Sequence, residues 1–256
     1  MSAAGTRVRA LRAGTGAGET LAAGGTGRVL AWFPKACYVE GPGGLVTLVG
    51  AGVPDGPLYL ALEKDLPRFE AGAPAALSPA AVALPGCAVD AGDAAPWRGA
   101  LSDPDRIRAA AESVANAAAE AAGDALLPRA GFEAHPLVER GDLEGAAAVL
   151  AGLGPGLTPS GDDVLGGVLF ARRALAGPEE EVRLAAAAAG VRTNAIARAF
   201  LRWAARGQAL SPVHDLMEAA VRGDPDAAGT AARALAKVGE SSGADFALGL
   251  CWGIET

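Results

Sequence analysis

Two adjacent carboxylates, Asp162 and Asp163, end a loop whose composition is unusual for a surface turn. The loop reads Gly152-Leu-Gly-Pro-Gly-Leu-Thr-Pro-Ser-Gly-Asp-Asp163. It cannot be a regular element, because glycine permits positive φ whereas proline fixes φ and lacks an amide donor. A carboxylate held in such a shaped loop could act as a general base, while nearby hydroxyls and amides bind an anion.

This loop leads directly into a predicted helix. Apolar residues stand at 164, 165, 168, 169, 171, 174 and 175, a 3.6-residue period that lays one helix face on a core. The loop therefore places residues 160–163 at a helix N-terminus. Free backbone amides and the positive end of the helix dipole gather there, which favours a bound anion or an oriented carboxylate.

A shorter version of the same arrangement lies near the end of the sequence, at Gly239-Glu-Ser-Ser-Gly-Ala-Asp245. Aligned without gaps, Ser160-Gly161-Asp162-Asp163 and Gly167 match Ser242-Gly243-Ala244-Asp245 and Gly249. Two such helix starts directed at one cavity would surround a small polar ligand with amides, hydroxyls and carboxylates. The helix glycines would let the two backbones approach closely.

The candidate site residues follow from these two segments. We predict catalytic roles for Asp163, Asp245 and Asp162, and favour Asp163 over Asp162 because Asp163 has a counterpart in the second segment. The substrate-binding candidates share a glycine backbone, a polar side chain or a place at a helix start. They are Gly154, Gly156, Thr158, Ser160, Gly161, Thr193, Asn194, Ser241, Ser242 and Gly243.

Structural interpretations of the same residues stay open. Ser-x-x-Asp is a form of the capping box, in which hydroxyl and carboxylate satisfy the free amides of a helix start. Thr193-Asn194 opens a predicted helix, so Asn194 could simply be its N-cap. Asp162 and Asp163 could ligate Mg²⁺, although adjacent side chains diverge on a helix. Whether the protein uses Mg²⁺ as a cofactor therefore stays open, and no residue is assigned as a metal ligand.

Other chemical groups are less informative. We expect His135, beside Pro136 in a turn, and His214, in the first turn of a helix, to be structural or solvated. Lys35 could contact an anionic ligand, but an ordinary exposed lysine explains it as well. The glycine loop follows a predicted helix and contains no lysine, so neither a Rossmann loop nor a P-loop is indicated.

Composition and charge exclude some classes of binding partner. The 256 residues carry a formal net charge of -7, with 51% hydrophobic residues, and no basic cluster suggests nucleic-acid binding. No apolar run approaches the roughly 18 residues of a spanning helix, and the start lacks the apolar region of a signal peptide. We therefore expect a cytoplasmic protein without membrane or nucleic-acid partners, acting on a small anionic substrate. Cys37, Cys87 and Cys251 are few and widely spaced, which indicates small apolar side chains.

The fold class predicted is α+β. Residues 1–101 are expected to form a small antiparallel β domain, sheet or barrel, with 1–26 partly flexible and a strand starting near Val8. Further strands are predicted at 29–33, 36–39, 45–49, 58–62 and 81–89, with an excursion at 66–79. Residues 102–256 are expected to form a helical domain with helices at 104–127, 142–151, 161–176, 178–189, 193–206, 212–222, 225–238 and 243–253.

The loop at 152–163 resembles the signature of a bacterial domain family of long-unknown function, typified by the smallest subunit of oxamate carbamoyltransferase from anaerobic allantoin degradation. Three further features are similar: Phe33-Pro-Lys-Ala-Cys-Tyr-Val39, Thr193-Asn-Ala-Ile-Ala and Ser241-Ser-Gly-Ala-Asp245. The resemblance extends from about residue 27 onward. The positions that match the motif are Thr158, Ser160, Gly161, Asp162, Asp163, Ser242, Gly243 and Asp245, whereas Glu240 departs from it.

The resemblance implies an assembly that reversibly transfers a carbamoyl group between carbamoyl phosphate and the amide nitrogen of oxamate, giving oxalurate and phosphate. A carbamoyltransferase or a subunit of one, with other subunits as partners, is therefore the first hypothesis. One alternative is a ligand-binding or assembly subunit that performs no chemistry. Another is a Mg²⁺-dependent enzyme acting on a different small carboxylate or phosphate compound.

Overall fold

The computed structural model describes residues 6–255, and the chain divides into two compact units, the first ending at Arg98 and the second beginning at Gly99. Each unit has its own apolar core. The α+β fold class is confirmed, with strands in the first unit followed by helices in the second. Within the described residues, no helix is both long enough and apolar enough to traverse a bilayer.

The first unit is a barrel of eight strands with a ninth strand attached. The strands are β1 Thr6–Gly14, β2 Gly25–Phe33, β3 Ala36–Gly41, β4 Gly44–Val49, β5 Tyr59–Leu62, β6 Pro74–Ser78, β7 Ala81–Leu84, β8 Cys87–Asp90 and β9 Ala95–Trp97. Eight strands follow the order β5-β4-β3-β2-β6-β7-β8-β1, and β1 pairs with β5 to close the barrel. The pairs β1–β8, β4–β5 and β1–β9 are parallel, so the sheet is mixed and not purely antiparallel.

Several β predictions need correction. The strand expected at 81–89 is the hairpin β7–β8, broken at Gly86, whose φ of 70° lies in the left-handed region. The excursion expected at 66–79 contains β6, whose sequence Pro-Ala-Ala-Leu-Ser has no β-branched residue to reveal it. The segment 1–26 contains β1, which includes the strand start predicted near Val8, and the helix α1 Thr15–Ala23, which was not predicted, while residues 1–5 lie outside the described residues.

The second unit is helical. Its helices are α2 Pro104–Ala109, α3 Ala111–Ala121, α4 His135–Glu139, α5 Leu143–Leu150, α6 Ser160–Ala176, α7 Glu181–Ala189, α8 Ala195–Ala204, α9 Ser211–Arg222, α10 Pro225–Ala236 and α11 Ser242–Ile254. The single helix predicted at 104–127 is wrong, because the backbone leaves the helical region at Ala110 (φ -100°, ψ 9°). The helix α4 and the 3₁₀ segment Arg129–Ala134 before it were not predicted.

Helices α6 and α11 form the centre of the second unit and pack unusually closely. A Cβ atom added at Gly167 would lie 2.1 Å from the carbonyl oxygen of Phe246, and one at Gly249 would lie 1.9 Å from the carbonyl oxygen of Val164. A Cβ at Gly253 would lie 2.5 Å from the Cβ of Ala171. Only glycine therefore permits this approach, as the sequence predicted for the two helix glycines.

Candidate functional site

The two helix starts converge because α6 and α11 are related by a local pseudo-twofold arrangement. An offset of 82 residues relates Asp163 to Asp245 and Gly167 to Gly249. The contacts are reciprocal, since Gly167 packs on the carbonyl of Phe246 and Gly249 packs on the equivalent carbonyl of Val164. The contact of Gly253 with Ala171 lies further along both helices than the contact of Gly167 with Phe246, so the helices run in the same direction. Their N-termini consequently lie at the same end of the pair.

The loops before both helices are built alike. The Gly161 amide donates to the carbonyl of Leu153 at 2.8 Å, and the Gly243 amide donates to the carbonyl of Val238 at 3.0 Å. Both glycines press against a carbonyl in the preceding helix, so that an added Cβ would collide with it at 2.1 Å for Gly161 and 1.8 Å for Gly243. These two candidates fix the approach of the loop to its helix and leave no room for a side chain.

Two glycines shape the longer loop before α6. Gly154 and Gly156 have φ values of 113° and 92°, in the region that side chains other than glycine rarely adopt. Gly154 lies against Ser160, whose amide would be 3.0 Å from an added Cβ, whereas Gly156 is exposed and has open space around it. Gly154 thus contributes to the helix start and Gly156 to the outer turn.

Asp245 is the most deeply buried polar residue of the site, with a relative exposure of 0%. Its Oδ1 accepts a hydrogen bond from the amide of Leu126 at 2.8 Å. Its Oδ2 is shielded from solvent and has no hydrogen-bond partner among the described residues. A buried carboxylate oxygen without a donor is costly, which makes this atom an acceptor available to a ligand or a proton.

Asp163 repeats this feature on α6. Its Oδ2 is shielded from solvent and likewise has no hydrogen-bond partner within residues 6–255, although other parts of the residue are accessible. Burial raises the pKa of the Asp163 carboxyl well above its ordinary value, and the charges of Asp245 and Asp162 add to this rise. The hydroxyls of Ser242 and Thr158 act in the opposite direction. The carboxyl is therefore inclined to carry a proton.

Two hydroxyls close the site beside this carboxylate. Thr158 Oγ1 lies 2.9 Å from Ser242 Oγ, so the glycine loop before α6 is hydrogen-bonded to the start of α11. Thr158, Asp163, Ser242 and Asp245 are thus brought together from sequence positions as far apart as 158 and 245. This is the convergence that the repeated motif predicted.

Asp162 has a different environment from its neighbour. It is 3% exposed, and its Oδ1 accepts from the amide of Gly152 at 3.1 Å while its Oδ2 accepts from the hydroxyl of Thr193. Burial raises the pKa of Asp162, and these two hydrogen bonds oppose the rise. Both of its oxygens are occupied, so its carboxylate ties the loop to the segment before α8.

The capping-box interpretation is wrong for both helices. Ser160 and Ser242 are the first helical residues, after Pro159 and Ser241 in the N-cap positions, and neither helix start has a side-chain cap. The Ser241 carbonyl only accepts the amide of Asp245 at 2.8 Å. The serine and aspartate side chains are consequently not used to satisfy the orphan amides of their own helices.

Asn194, in contrast, is confirmed as an N-cap. Its Oδ1 accepts from the amides of Ile196 and Ala197 at 2.9 and 3.0 Å, and its Nδ2 donates to the carbonyl of Leu157 at 2.9 Å. The residue is exposed and also holds the glycine loop. Glu240, which departs from the family motif, is exposed beside the second helix start.

The histidines and Lys35 are engaged elsewhere. His214 is buried, its Nε2 accepts from the amide of Ala209 at 3.2 Å, and its Nδ1 lies 2.9 Å from the carbonyl of Ala100. His135 starts α4, and its ring lies 4.9 Å from that of Trp252. Lys35 is exposed and forms an ion pair with Asp65 at 2.8 Å. The three cysteines are buried free thiols.

Sequence reasoning missed one part of the site, the amide of Leu126 that binds Asp245. No residue type in the sequence could have identified it, because every residue except proline has a backbone amide. For metal binding, the described part of the chain contains no group of three or more His, Cys, Asp or Glu side chains arranged around a common point.

Comparison with known proteins supports the resemblance. Residues 150–254 match the model of a family described as oxamate carbamoyltransferase subunit AllH. This segment contains both helix starts and all the candidate site residues. The resemblance inferred from the loop is confirmed over this part of the chain. Neither the curated proteins nor the solved structures gave a significant match.

Proposed function

We propose that this chain is a subunit of a carbamoyltransferase and contributes the acidic pair Asp163 and Asp245 to its active site. The reaction is transfer of a carbamoyl group between carbamoyl phosphate and a small amide such as oxamate. One observation carries the proposal: at the two converging helix starts, Asp163 and Asp245 each have a buried carboxylate oxygen that accepts no hydrogen bond from residues 6–255. Both helix starts lie within the segment that matches the family model.

The acidic pair suits the proton transfer that this reaction requires. As the amide nitrogen of oxamate attacks the carbamoyl carbon, an N–C bond forms, the C–O bond to phosphate breaks and the nitrogen loses a proton. The carboxylate of Asp163 accepts that proton. In the reverse direction the Asp163 carboxyl returns it to the departing nitrogen, while a phosphate oxygen attacks the carbamoyl carbon. A carboxyl with a raised pKa serves both directions near neutral pH.

Asp245 acts beside Asp163 in this proposal. Its Oδ1 is fixed by the amide of Leu126, so its free Oδ2 is held in one direction. Such an acceptor suits the NH₂ group of a carbamoyl or oxamate moiety, which has two hydrogens to donate. Its charge also favours the protonated form of Asp163, because two nearby carboxylates do not readily ionise together.

The helix starts provide the complementary, electropositive part of the site. Four first-turn amides already donate hydrogen bonds to carbonyls of residues that precede the two helices. They belong to Gly161, Asp163, Gly243 and Asp245. The amides of Ser160 and Ser242 are the donors that we expect to face the anionic groups of the substrates, assisted by two helix dipoles. Amides fixed in this way would also stabilise the negative charge that develops on the carbamoyl oxygen.

The remaining candidates are assigned positioning roles. Asp162 and Thr193 fix the loop before α6 to the segment before α8, and Asn194 holds the same loop at Leu157. Gly154 and Gly156 give the loop its left-handed turns. These residues keep Thr158 and Asp163 in place without contacting the reacting atoms.

A second candidate is an assembly role without chemistry, in which the chain completes the site of another subunit. The shielding of both free carboxylate oxygens favours it, because a substrate reaches them only after the closed helix starts open or a partner rearranges them. The two candidates differ in one respect, the dependence of activity on the acidic pair.

The test measures phosphate-dependent breakdown of oxalurate by the purified protein, alone and mixed with the other subunits of the enzyme from the same organism. The variants are Asp163→Asn and, as a matched surface control, Asp226→Asn in the first turn of α10. We expect activity, alone or in the mixture, to fall by about 100-fold or more in Asp163→Asn, as general-base loss does. The control should retain it.

Full activity of the Asp163→Asn mixture would overturn the catalytic proposal and leave the assembly role. Absence of oxalurate breakdown in every mixture would reject this substrate. A thermal-shift series with carbamoyl phosphate, phosphate and Mg²⁺ then ranks ligands, since any compound that binds only the native state raises its apparent stability.

A further inference from the structure

A cavity with a partly charged lining lies near the opposite end of α6 from the acidic pair. It has a volume of about 430 Å³, and its charged lining consists of Arg108, Arg172, Arg183 and Glu180. Leu175 and Ile254 contribute apolar walls. A cavity of this size with a few convergent polar groups is typical of small-molecule sites.

The lining is rich in positive charge. Three guanidinium groups face one carboxylate, that of Glu180, which pairs with Arg183 at 2.7 Å. Arg108 is held by Asp105 from outside the lining and also donates to the carbonyl of Leu175. Even with both carboxylates counted, one guanidinium, that of Arg172, has no anionic partner in these pairs.

Arg172 is the cavity arginine that forms no ion pair with any described residue. Its Nη2 donates to the carbonyl of Val138 at 2.6 Å, while its Nε is shielded from solvent and has no hydrogen-bond partner among the described residues. Burial lowers the pKa of Arg172, and the nearby positive charge of Arg183 lowers it further. Two guanidinium groups that repel each other beside a cavity are stabilised when an anion lies between them.

We propose that this cavity binds a small oxyanion ligand, one with a phosphate or carboxylate group and a short apolar part. The guanidinium groups of Arg108, Arg172 and Arg183 would hold the oxyanion, since planar fork-shaped donors match its oxygens. Leu175 and Ile254 would contact the apolar part. Arg172 follows Asp163 by nine residues, about 14 Å along the helix, so this site is separate from the acidic pair.

Inorganic phosphate and phenyl phosphate are suitable probes, titrated calorimetrically against the full chain with chloride at the same ionic strength as reference. The test variants are Arg183→Gln and Arg108→Gln, both at exposed side chains, so that folding is not at risk. Arg222→Gln is the matched control, because Arg222 is equally exposed and paired with a glutamate but lies outside the cavity.

The expected result is that each test variant binds phosphate about tenfold more weakly than the wild type, while Arg222→Gln is unchanged. Phenyl phosphate should bind more tightly than phosphate, because the apolar walls accept the ring. Equal affinity in the wild type and both test variants would overturn the proposal, as would equal weakening in the control. The proposed function is tested separately, since Asp163→Asn should leave this difference between variants intact.

Discussion

Asp163 on α6 and Asp245 on α11 stand at equivalent positions of two helices that run in the same direction, and each keeps one shielded carboxylate oxygen without a hydrogen-bond partner among residues 6–255. Burying such an oxygen costs free energy that other contacts must offset. The close packing of α6 on α11 supplies those contacts. Stability is therefore given up at the place where the proposal locates the chemistry.

The first prediction concerns the helix contact. Gly167→Ala should destabilise the protein by about 1–3 kcal/mol or more, because the new methyl group would collide with the backbone carbonyl of Phe246. Gly166→Ala is the matched control. A Cβ there would lie 3.3 Å from the Phe246 ring, which can shift, so its effect should stay within about 1 kcal/mol. Thermal or urea unfolding measures both, and equal effects would contradict the close contact.

The second prediction separates the two adjacent carboxylates. Asp162→Ala should lower stability by about 1–3 kcal/mol, because the Gly152 amide and the Thr193 hydroxyl lose their acceptor. Asp163→Asn should leave stability unchanged or raise it by up to about 2 kcal/mol, since a costly buried charge is removed. Unfolding curves of the two variants decide this. A strong loss of stability in Asp163→Asn would show that the Ser242 and Thr158 hydroxyls stabilise the charged carboxylate by more than its burial costs.

The third prediction concerns pH. The folded-state pKa of Asp163 is raised above the ordinary 3.8, so the folded protein holds this proton more tightly than the unfolded chain does. The stability contributed by protonation is present at low pH and is lost as pH rises through the folded pKa. Relative to Asp163→Asn, the wild type should lose stability as the pH rises from about 3.8 to the folded-state pKa of Asp163. Unfolding free energies of both proteins against pH test it, and an opposite slope would contradict it.

The fourth prediction concerns His214, whose shifted pKa makes stability change with pH in the opposite direction. Burial lowers its pKa below 6.5, and the hydrogen bond to the Ala100 carbonyl only partly opposes this. The folded protein therefore resists protonation of this ring, and its contribution to stability is lost as pH falls below 6.5. Proton NMR of the ring should show a titration midpoint below pH 6.5. A ring that titrates at or above pH 6.5 would contradict the buried environment.

The fifth prediction uses the hydroxyl contact between the two helix starts. Thr158 Oγ1 and Ser242 Oγ are 2.9 Å apart, so Thr158→Cys with Ser242→Cys should form a disulfide under mild oxidation after small rotations. Thr193→Cys with Ser242→Cys is a control pair without this contact. Mass spectrometry after proteolysis identifies the bond. Failure of the first pair to cross-link, while the control pair does, would place the loops differently.

Much of the helical unit could be predicted from the sequence, because caps and glycines mark its ends. Asp224-Pro225, for instance, starts α10 with a side-chain cap, and Gly223 ends α9 in a left-handed conformation. The break at Ala110 could not be predicted. Alanine favours helix on both sides of it, and only the local geometry, with the Ala110 amide shared between two carbonyls, reveals it.

The convergence of the site was also predictable, since a repeated motif with matching helix glycines implies two similar helices in close contact. The roles of individual carboxylates were less so. Asp162 and Asp163 are chemically identical neighbours, and only the positions of Gly152 and Thr193 determine that one is fully hydrogen-bonded. Barrel closure through β1 and β5 likewise depends on pairing between distant strands, which local sequence does not encode.

The most direct test of the central claim is a double-mutant cycle on Asp163 and Asp245, read as the rate of oxalurate breakdown by the active assembly. Asparagine at 245 keeps an acceptor for the Leu126 amide, so the fold should tolerate it. If the two carboxylates act as one unit, the double variant loses no more activity than the more damaged single variant. Rate losses that multiply independently, or single variants with full activity, would contradict a shared site at the two helix starts.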